Sequence, residues 1–277
     1  MIRGTTGLIA HIGFPTHTFK SPLIYNPYFQ QAGIDAVVVP MACRPEHFAG
    51  FLKAVFSLDN ICGALITMPH KVSTVGLLHS ASPAVLVAGA CNAVRRGADG
   101  SLQGDMFDGE GFVRGLRRKG CQMAGAQALV VGCGGVGSAI AASLAAAGVS
   151  ALSLFDARQD SADSLGQRLR AHYPALGVRT DSKDPADHLI VVNATPMGMN
   201  DGDPMPLDVQ RIAPQAFVGE VVLKAELTAF LRAAQARGCR FQVGSDMLFE
   251  QIPAYLEFFG LPGTTPENLR AVAQLSD

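Results

Sequence analysis

Gly132, Gly134 and Gly137 form a G-x-G-x-x-G pattern between an apolar segment and an alanine-rich one. The first glycine permits a tight turn, the second lets backbone approach a pyrophosphate, and the third lets helix and strand pack closely. Gly135 and Val136 would open the following helix, whose free N–H groups and positive dipole end suit phosphates. Asp156 follows Gly137 by 19 residues. A carboxylate there accepts hydrogen bonds from both adenosine ribose hydroxyls and repels a 2′-phosphate. This predicts a dinucleotide cofactor, NAD rather than NADP, although Arg158, two residues on, keeps NADP open. The plain structural alternative is a glycine-rich turn and an aspartate that caps the next helix. A second candidate is Thr67-Met68-Pro69-His70-Lys71, which closes another apolar segment. Ligands bind at strand ends of α/β sheets, and a lysine there can pass protons to or from an alcohol; a solvated surface lysine fits as well. Asp108 is equally open between acid–base chemistry and a helix N-cap.

The elements needed to position these residues are legible as alternating short apolar and longer amphipathic runs. Strands are predicted at Leu8 to Gly13, Ala36 to Ala42, Gly63 to Thr67, Gln127 to Val131, Ala151 to Asp156, His188 to Asn193 and Phe217 to Val222. Helices are predicted at Ser21 to Gln31, with a Ser N-cap and Pro22 first inside, and at Glu46 to Leu58, where Phe48, Phe51, Leu52, Val55 and Phe56 make an apolar stripe. Further helices end near Gly120, Gly148 and His172, and others run from Glu226 to Arg237 and from Met247 to Phe259. Strand–helix alternation of this kind predicts an α/β layer with mostly parallel pairing. A hinge is expected near Gly104 to Gly111, where the chain turns acidic and glycine-rich.

Length and composition narrow the functional classes. The 277 residues suggest two domains, and a chain 48% hydrophobic and 16% charged can bury a sizeable core. The formal charge of -1 gives no electrostatic argument for nucleic acid or an anionic membrane. Absence of Trp and only 4 Tyr argue against an aromatic platform for single strands or sugars. The six cysteines make no CxxC and no His pair has metal-ligand spacing, so no metal is expected and the thiols read as reduced and buried. No signal peptide or membrane-spanning run is expected, which predicts a soluble cytoplasmic protein. His11, His17, His47, His79, His172 and His188 read as structural or exposed, and His70 as packing or orienting the lysine motif. Cys133 reads as filling a variable position of the glycine loop, with a thiol that helix-end placement could make reactive.

Taken in order, Pro69-His70-Lys71, Gly89-Ala90-Cys91-Asn92, Asp108-Gly109-Glu110-Gly111, the glycine loop, Asn193-Ala194-Thr195-Pro196-Met197-Gly198-Met199 and the run Gly244 to Gln251 resemble the successive motifs of the shikimate/quinate dehydrogenase family. The resemblance spans about Ile9 to Phe259. It implies an N-terminal α/β substrate-binding domain, 1–104, completed by 248–277, a Rossmann-type NAD(P)-binding domain, 105–247, and a cleft between them. It also implies transfer of a hydride between a nicotinamide cofactor and a ring hydroxyl of shikimate or a similar cyclic hydroxy acid, in aromatic amino acid biosynthesis or quinate metabolism. Lys71 would be the proton-transfer residue and Asp108 its partner, with activity in the oxidative direction rising with pH. Thr67, Asn92 and Gln251 match positions that hold ring hydroxyls, and Ser21 with Thr18 the hydroxyls that grip the carboxylate. Gly244, Val221 and Thr195 would lie near the nicotinamide end. The chain is expected to act as a monomer or homodimer.

The chain departs from the family pattern in the substrate pocket. Leu65, Phe107 and Leu223 stand where the family usually has Asn, Thr and Tyr. Each lost hydrogen bond costs about 0.5–1.5 kcal/mol, so the expectation is a divergent member on which shikimate is a poor substrate. The competing expectation is a dinucleotide-binding sensor without turnover; the retained Lys71, Asp108 and Asn92 count against it.

Overall fold

The computed structural model describes residues 2–200 and 202–275. In chain order the strands are β1 (Gly7–Gly13), β2 (Ala36–Ala42), β3 (Ile61–Ile66), β4 (Ser80–Ala81), β5 (Ala93–Arg96), β6 (Leu102–Asp105), β7 (Gln127–Val131), β8 (Ala151–Phe155), β9 (Gly177–Arg179), β10 (Ile190–Asn193), β11 (Phe217–Glu220) and β12 (Arg240–Gln242). The α-helices are α1 (Ser21–Ala32), α2 (Phe48–Val55), α3 (Lys71–Val75), α4 (Pro83–Ala88), α5 (Phe107–Arg118), α6 (Gly135–Ala146), α7 (Gln159–His172), α8 (Ala229–Ala236), α9 (Gly244–Phe259) and α10 (Pro266–Val272). The chain divides into two compact units. The first comprises Met1–Val85, Gly89–Phe107 and Ile252–Asp277, the second Leu86–Ala88 and Asp108–Gln251.

Among the described residues, the first unit holds a six-stranded sheet of order β2-β1-β3-β5-β6-β4. Its centre is parallel: β1 pairs along its whole length with β2, and also with β3. The pairs β3–β5 and β5–β6 are antiparallel while β4–β6 is parallel, so pairing among the described residues of this half is mostly parallel, as expected, with an antiparallel step at β5. The strands β5 and β6 are four residues each and carry Arg95, Arg96, Gln103 and Asp105, too short and too polar to stand out as apolar runs. The helix α1 begins one residue earlier than predicted: Ser21 is its first residue, Lys20 holds the cap position, and no side chain caps it.

The second unit's sheet has the order β12-β11-β10-β7-β8-β9 and is parallel throughout. Read from β7 in chain order, this is the doubly wound order 3-2-1-4-5-6, whose switch point lies between β7 and β10. Alternation along β7 feeds two cores. Ala128 and Val130 join Phe112, Ile140, Leu144, Leu154 and Leu165 on one side, while Leu129 and Val131 join Val191, Val218, Phe230 and Leu231 on the other. Strands buried on both faces carry near-continuous apolar sequence, which is why this sheet was easy to read.

Candidate active site

In the first unit the predicted residues gather at the carboxyl ends of the parallel strands, where α/β sheets bind ligands. Thr67 follows β3 directly, and Lys71 is the first residue of α3 and half-buried. Its carbonyl accepts the Cys91 N–H at 2.8 Å, which ties the lysine turn to the segment carrying Asn92. Asn92 is buried; its Oδ1 accepts the Phe107 N–H at 2.9 Å, so its amide is oriented by the start of α5. Ser21 is half-buried at the head of α1 and Thr18 is exposed in the preceding loop. His70 packs beneath the lysine motif, stacked on Phe48 at 4.0 Å with Nε2 2.8 Å from the Cys43 carbonyl. Two of the three departures from the family pattern lie here: Leu65 is buried on β3, and the Phe107 ring sits edge-on to Tyr255 and Phe258 at 4.9 and 5.5 Å.

In the second unit the glycine loop makes a cradle. Gly132 has φ +100, a left-handed conformation that favours glycine. A Cβ at Gly137 would overlap the Gly132 carbonyl oxygen, whereas no heavy atom lies within 4 Å of a Cβ at Gly134. Gly134 is the N-cap of α6 and no side chain caps that helix, so the first N–H groups of Gly135 and Val136 are presented to any anion there. Asp156, one residue past β8, accepts the Cys133 N–H at 2.7 Å through Oδ2 and the Arg158 N–H at 2.9 Å through Oδ1. A cavity of about 520 Å³ is lined by Gly132, Gly134, Asp156, Lys183, Thr195 and Met197, among others. The cradle, the uncapped helix end and the carboxylate beside an apolar cavity fit a dinucleotide.

The residues after β10, Ala194 to Met197, also line this cavity. The buried Asn193 accepts the Thr195 N–H and hydroxyl at 3.1 and 2.6 Å, and its Nδ2 donates to the Met197 carbonyl at 3.0 Å. Gly244 begins α9 so close to Val221 and Val222 that a side chain there would overlap their backbone. Leu223, the third departure from the family pattern, is exposed. Asp108 is buried in the first turn of α5 rather than at a cap. Helix α5 approaches α6 at Gly109, where a side chain would overlap the Ala139 backbone, and α9 at Gly111, beside Met247 and Gln251. The two glycines flanking Glu110 are thus required by packing. Gln251 is itself buried, and its Oε1 has no hydrogen-bond partner among the described residues.

Two enclosed titratable groups stand out. The Cys133 thiol is pushed up to about 12 by burial and then by the Asp156 carboxylate, so it is inert rather than reactive. Glu220, which the sequence analysis did not single out, ends β11 fully buried opposite Asn193 in the sheet register. Burial raises its carboxyl to about 7 against the opposing hydrogen bonds with Thr228 and Asn193. A carboxylate closing an apolar run gives no sequence signal that it will be enclosed.

Residues 11–94 match the family model of the shikimate dehydrogenase substrate binding domain. The chain is 33% identical to the shikimate dehydrogenase (NADP(+)) of Acidiphilium cryptum over 99% of its own length and 98% of that protein's. Its structure is similar to that of shikimate 5-dehydrogenase from Listeria monocytogenes in complex with shikimate and NAD, with TM-score 0.91, 26% identity and coverage of 98% and 97%. It is also similar to quinate dehydrogenase from Corynebacterium glutamicum in complex with NAD, with TM-score 0.86, 27% identity and coverage of 96% and 98%. No helix among the described residues is long and apolar enough to cross a membrane.

Proposed function

The chain belongs to the shikimate dehydrogenase family, and we propose that it oxidises a ring hydroxyl of shikimate or a closely similar cyclic hydroxy acid, with NAD preferred to NADP. The observation that carries this reading is the glycine cradle with Asp156 beside it, in a chain that also sets Lys71 at a strand end. A bound NAD(P) would supply the hydride acceptor for the carbinol carbon; the protein supplies orientation, exclusion of water and proton handling. Lys71 removes the hydroxyl proton onto Nζ and Asp108 is its acid–base partner, so oxidation accelerates with pH. Ser21 and Thr18 hold the carboxylate, and Thr67, Asn92 and Gln251 the ring hydroxyls. The unpartnered Oε1 of buried Gln251 supports that role, since such an atom is costly unless a ligand group meets it.

On the cofactor side, the α6 N-terminus with Gly134, Gly135 and Val136 receives the pyrophosphate, and Asp156 receives the adenosine ribose. Thr195, Val221 and Gly244 flank the nicotinamide. The preference for NAD follows from the negative charge of Asp156, which repels a 2′-phosphate. The first unit is then the substrate-binding domain and the second the cofactor-binding domain. The six free thiols support a reducing compartment, and the reading extends to a cytoplasmic protein acting as a monomer or homodimer.

The test is steady-state reduction of NAD+ and NADP+, followed by absorbance across a pH series, with shikimate, quinate and their deoxy and amino analogues. Turnover with one of these acids, faster with NAD+ and rising with pH, is expected. Cofactor binding without turnover on the whole panel would contradict the proposal and favour a sensor. Because Leu65, Phe107 and Leu223 replace hydrogen-bonding groups of the family pattern, kcat/KM on shikimate is expected below that of a biosynthetic relative by about one to three orders of magnitude, from three lost hydrogen bonds.

A further inference from the structure

His11 stands out among the histidines that the fold encloses wholly or in part. His70 and His188 have ring nitrogens within hydrogen-bond reach of protein oxygens, at 2.8 to 2.9 Å. His11 is 7% exposed, and its buried Nδ1 has no partner among the described residues. An enclosed polar atom of this kind costs stability and is uncommon unless something else uses it.

Its surroundings say what that use is. His11 lies on β1 in register with Leu65 on β3, so the two side chains project from the same face of the sheet. Its ring stacks on Phe19 at 4.0 Å and 24°, and Phe19 belongs to the loop that carries Thr18 and leads to Ser21. Phe19 and Thr67 both crowd the Cα of Gly13, two residues after His11. Burial first and the nearby Lys71 ammonium second hold the imidazole down to about 3. His11 is therefore neutral across the working pH range, one donor and one acceptor with no charge. The imidazole stands among the loop assigned to the carboxylate, the threonine assigned to a ring hydroxyl, and the lysine assigned to the reacting hydroxyl.

We propose that His11 is a specificity-determining residue of the substrate site, whose Nδ1 hydrogen-bonds a ring hydroxyl of the cyclic hydroxy acid. Leu65, beside it, cannot offer that bond, so the polar contact on this face of the sheet comes from β1 instead of β3. The proposal rests on the activity assigned above. It predicts that the substrate keeps a hydroxyl within reach of the β1 end of the site, whichever other hydroxyls it lacks.

The test is calorimetric titration of the NADH-loaded full-length protein with shikimate, quinate and the three singly deoxygenated shikimates, for wild type, His11→Phe and His11→Asn. Phenylalanine keeps the stack on Phe19 and removes the hydrogen bond; asparagine returns an amide close to the place of Nδ1. NADH affinity of each variant serves as the check on folding. His11→Phe is expected to weaken binding of the tighter acid by roughly 3- to 10-fold, with most of the loss recovered in His11→Asn. One deoxygenated analogue, the one lacking the contacted hydroxyl, is expected to be insensitive to the substitution. Undiminished binding by His11→Phe, or an equal loss for every analogue, would overturn the assignment while leaving the activity standing. Failure of the wild type to bind either acid would overturn the activity reading, and this assignment with it.

Discussion

Asp156→Ala gives the most quantitative test of the cofactor site. The carboxylate of Asp156 is oriented by two backbone N–H groups, from Cys133 in the glycine loop and Arg158 beyond β8, at 2.7 and 2.9 Å. A ribose diol held by an anchored carboxylate gains charge-assisted hydrogen bonds of about 1.5–3 kcal/mol. Losing them should weaken NAD binding by roughly 10- to 150-fold. For NADP the carboxylate is instead a repulsive neighbour. Two like charges about 5 Å apart cost roughly 1–3 kcal/mol at effective dielectric constants of about 80 to 20. Alanine removes that cost, so NADP affinity should hold or improve while NAD affinity falls, and the NAD-to-NADP ratio should drop by at least about 10-fold. Alanine also frees the Cys133 N–H, so Asp156→Asn is the companion variant, since it retains an oxygen for that N–H and lacks the charge. Both variants are read by fluorescence titration with NADH and NADPH at two ionic strengths. The repulsive part should shrink at high salt. An unchanged cofactor ratio in both variants would refute the assignment of Asp156 to the ribose.

Other substitutions probe the remaining parts of the account. Lys71→Ala is expected to lower turnover at least about 100-fold, the usual scale of a lost acid–base group, with NADH affinity within about twofold of wild type; steady-state kinetics and cofactor titration check this. Gly137→Ala, whose Cβ would overlap the Gly132 carbonyl oxygen, should cost about 1–3 kcal/mol of stability through overpacking and abolish dinucleotide binding, read by thermal melting with and without NADH. The Glu220 carboxyl is raised from 4.5 to about 7, so the folded state holds that proton more tightly than the unfolded chain. Its contribution to stability therefore declines as pH rises from about 4.5 to 7. Glu220→Gln should remove that slope and gain up to about 2–3 kcal/mol over wild type between pH 5 and pH 8, as measured by denaturant unfolding at both values.

The second unit was the more legible half, because its strands are buried on both faces and its loop chemistry follows from glycine spacing. The pattern at Gly132, Gly134 and Gly137, with an apolar run on either side, led directly to the cradle and to Asp156 at the next strand end. The first unit was read less completely. The short strand β5 follows two buried apolar residues with two arginines, and β6 alternates Leu102 and Gly104 with Gln103 and Asp105, so only their position within the sheet gives them meaning. Asn92 was recognised by its motif, but its bond to the Phe107 N–H depends on packing that spacing alone does not reveal. His11 is the clearest case: its environment is made by Phe19, Leu65 and Lys71. These come from three separate segments that meet only when β1 and β3 pair. A histidine on an apolar strand reads as structural until its unpartnered nitrogen is seen.

The central claim is that a hydride leaves a ring carbinol of a shikimate-type acid for a nicotinamide cofactor held by this chain. Its most direct test uses the acid carrying deuterium at the oxidised carbon, incubated with protein and NAD+, with the reduced cofactor analysed by mass spectrometry. The account predicts reduced cofactor one mass unit heavier, formed by wild type and lost in Lys71→Ala. Reduced cofactor without the label, or none from shikimate, quinate or their analogues while NAD+ is bound, would contradict it.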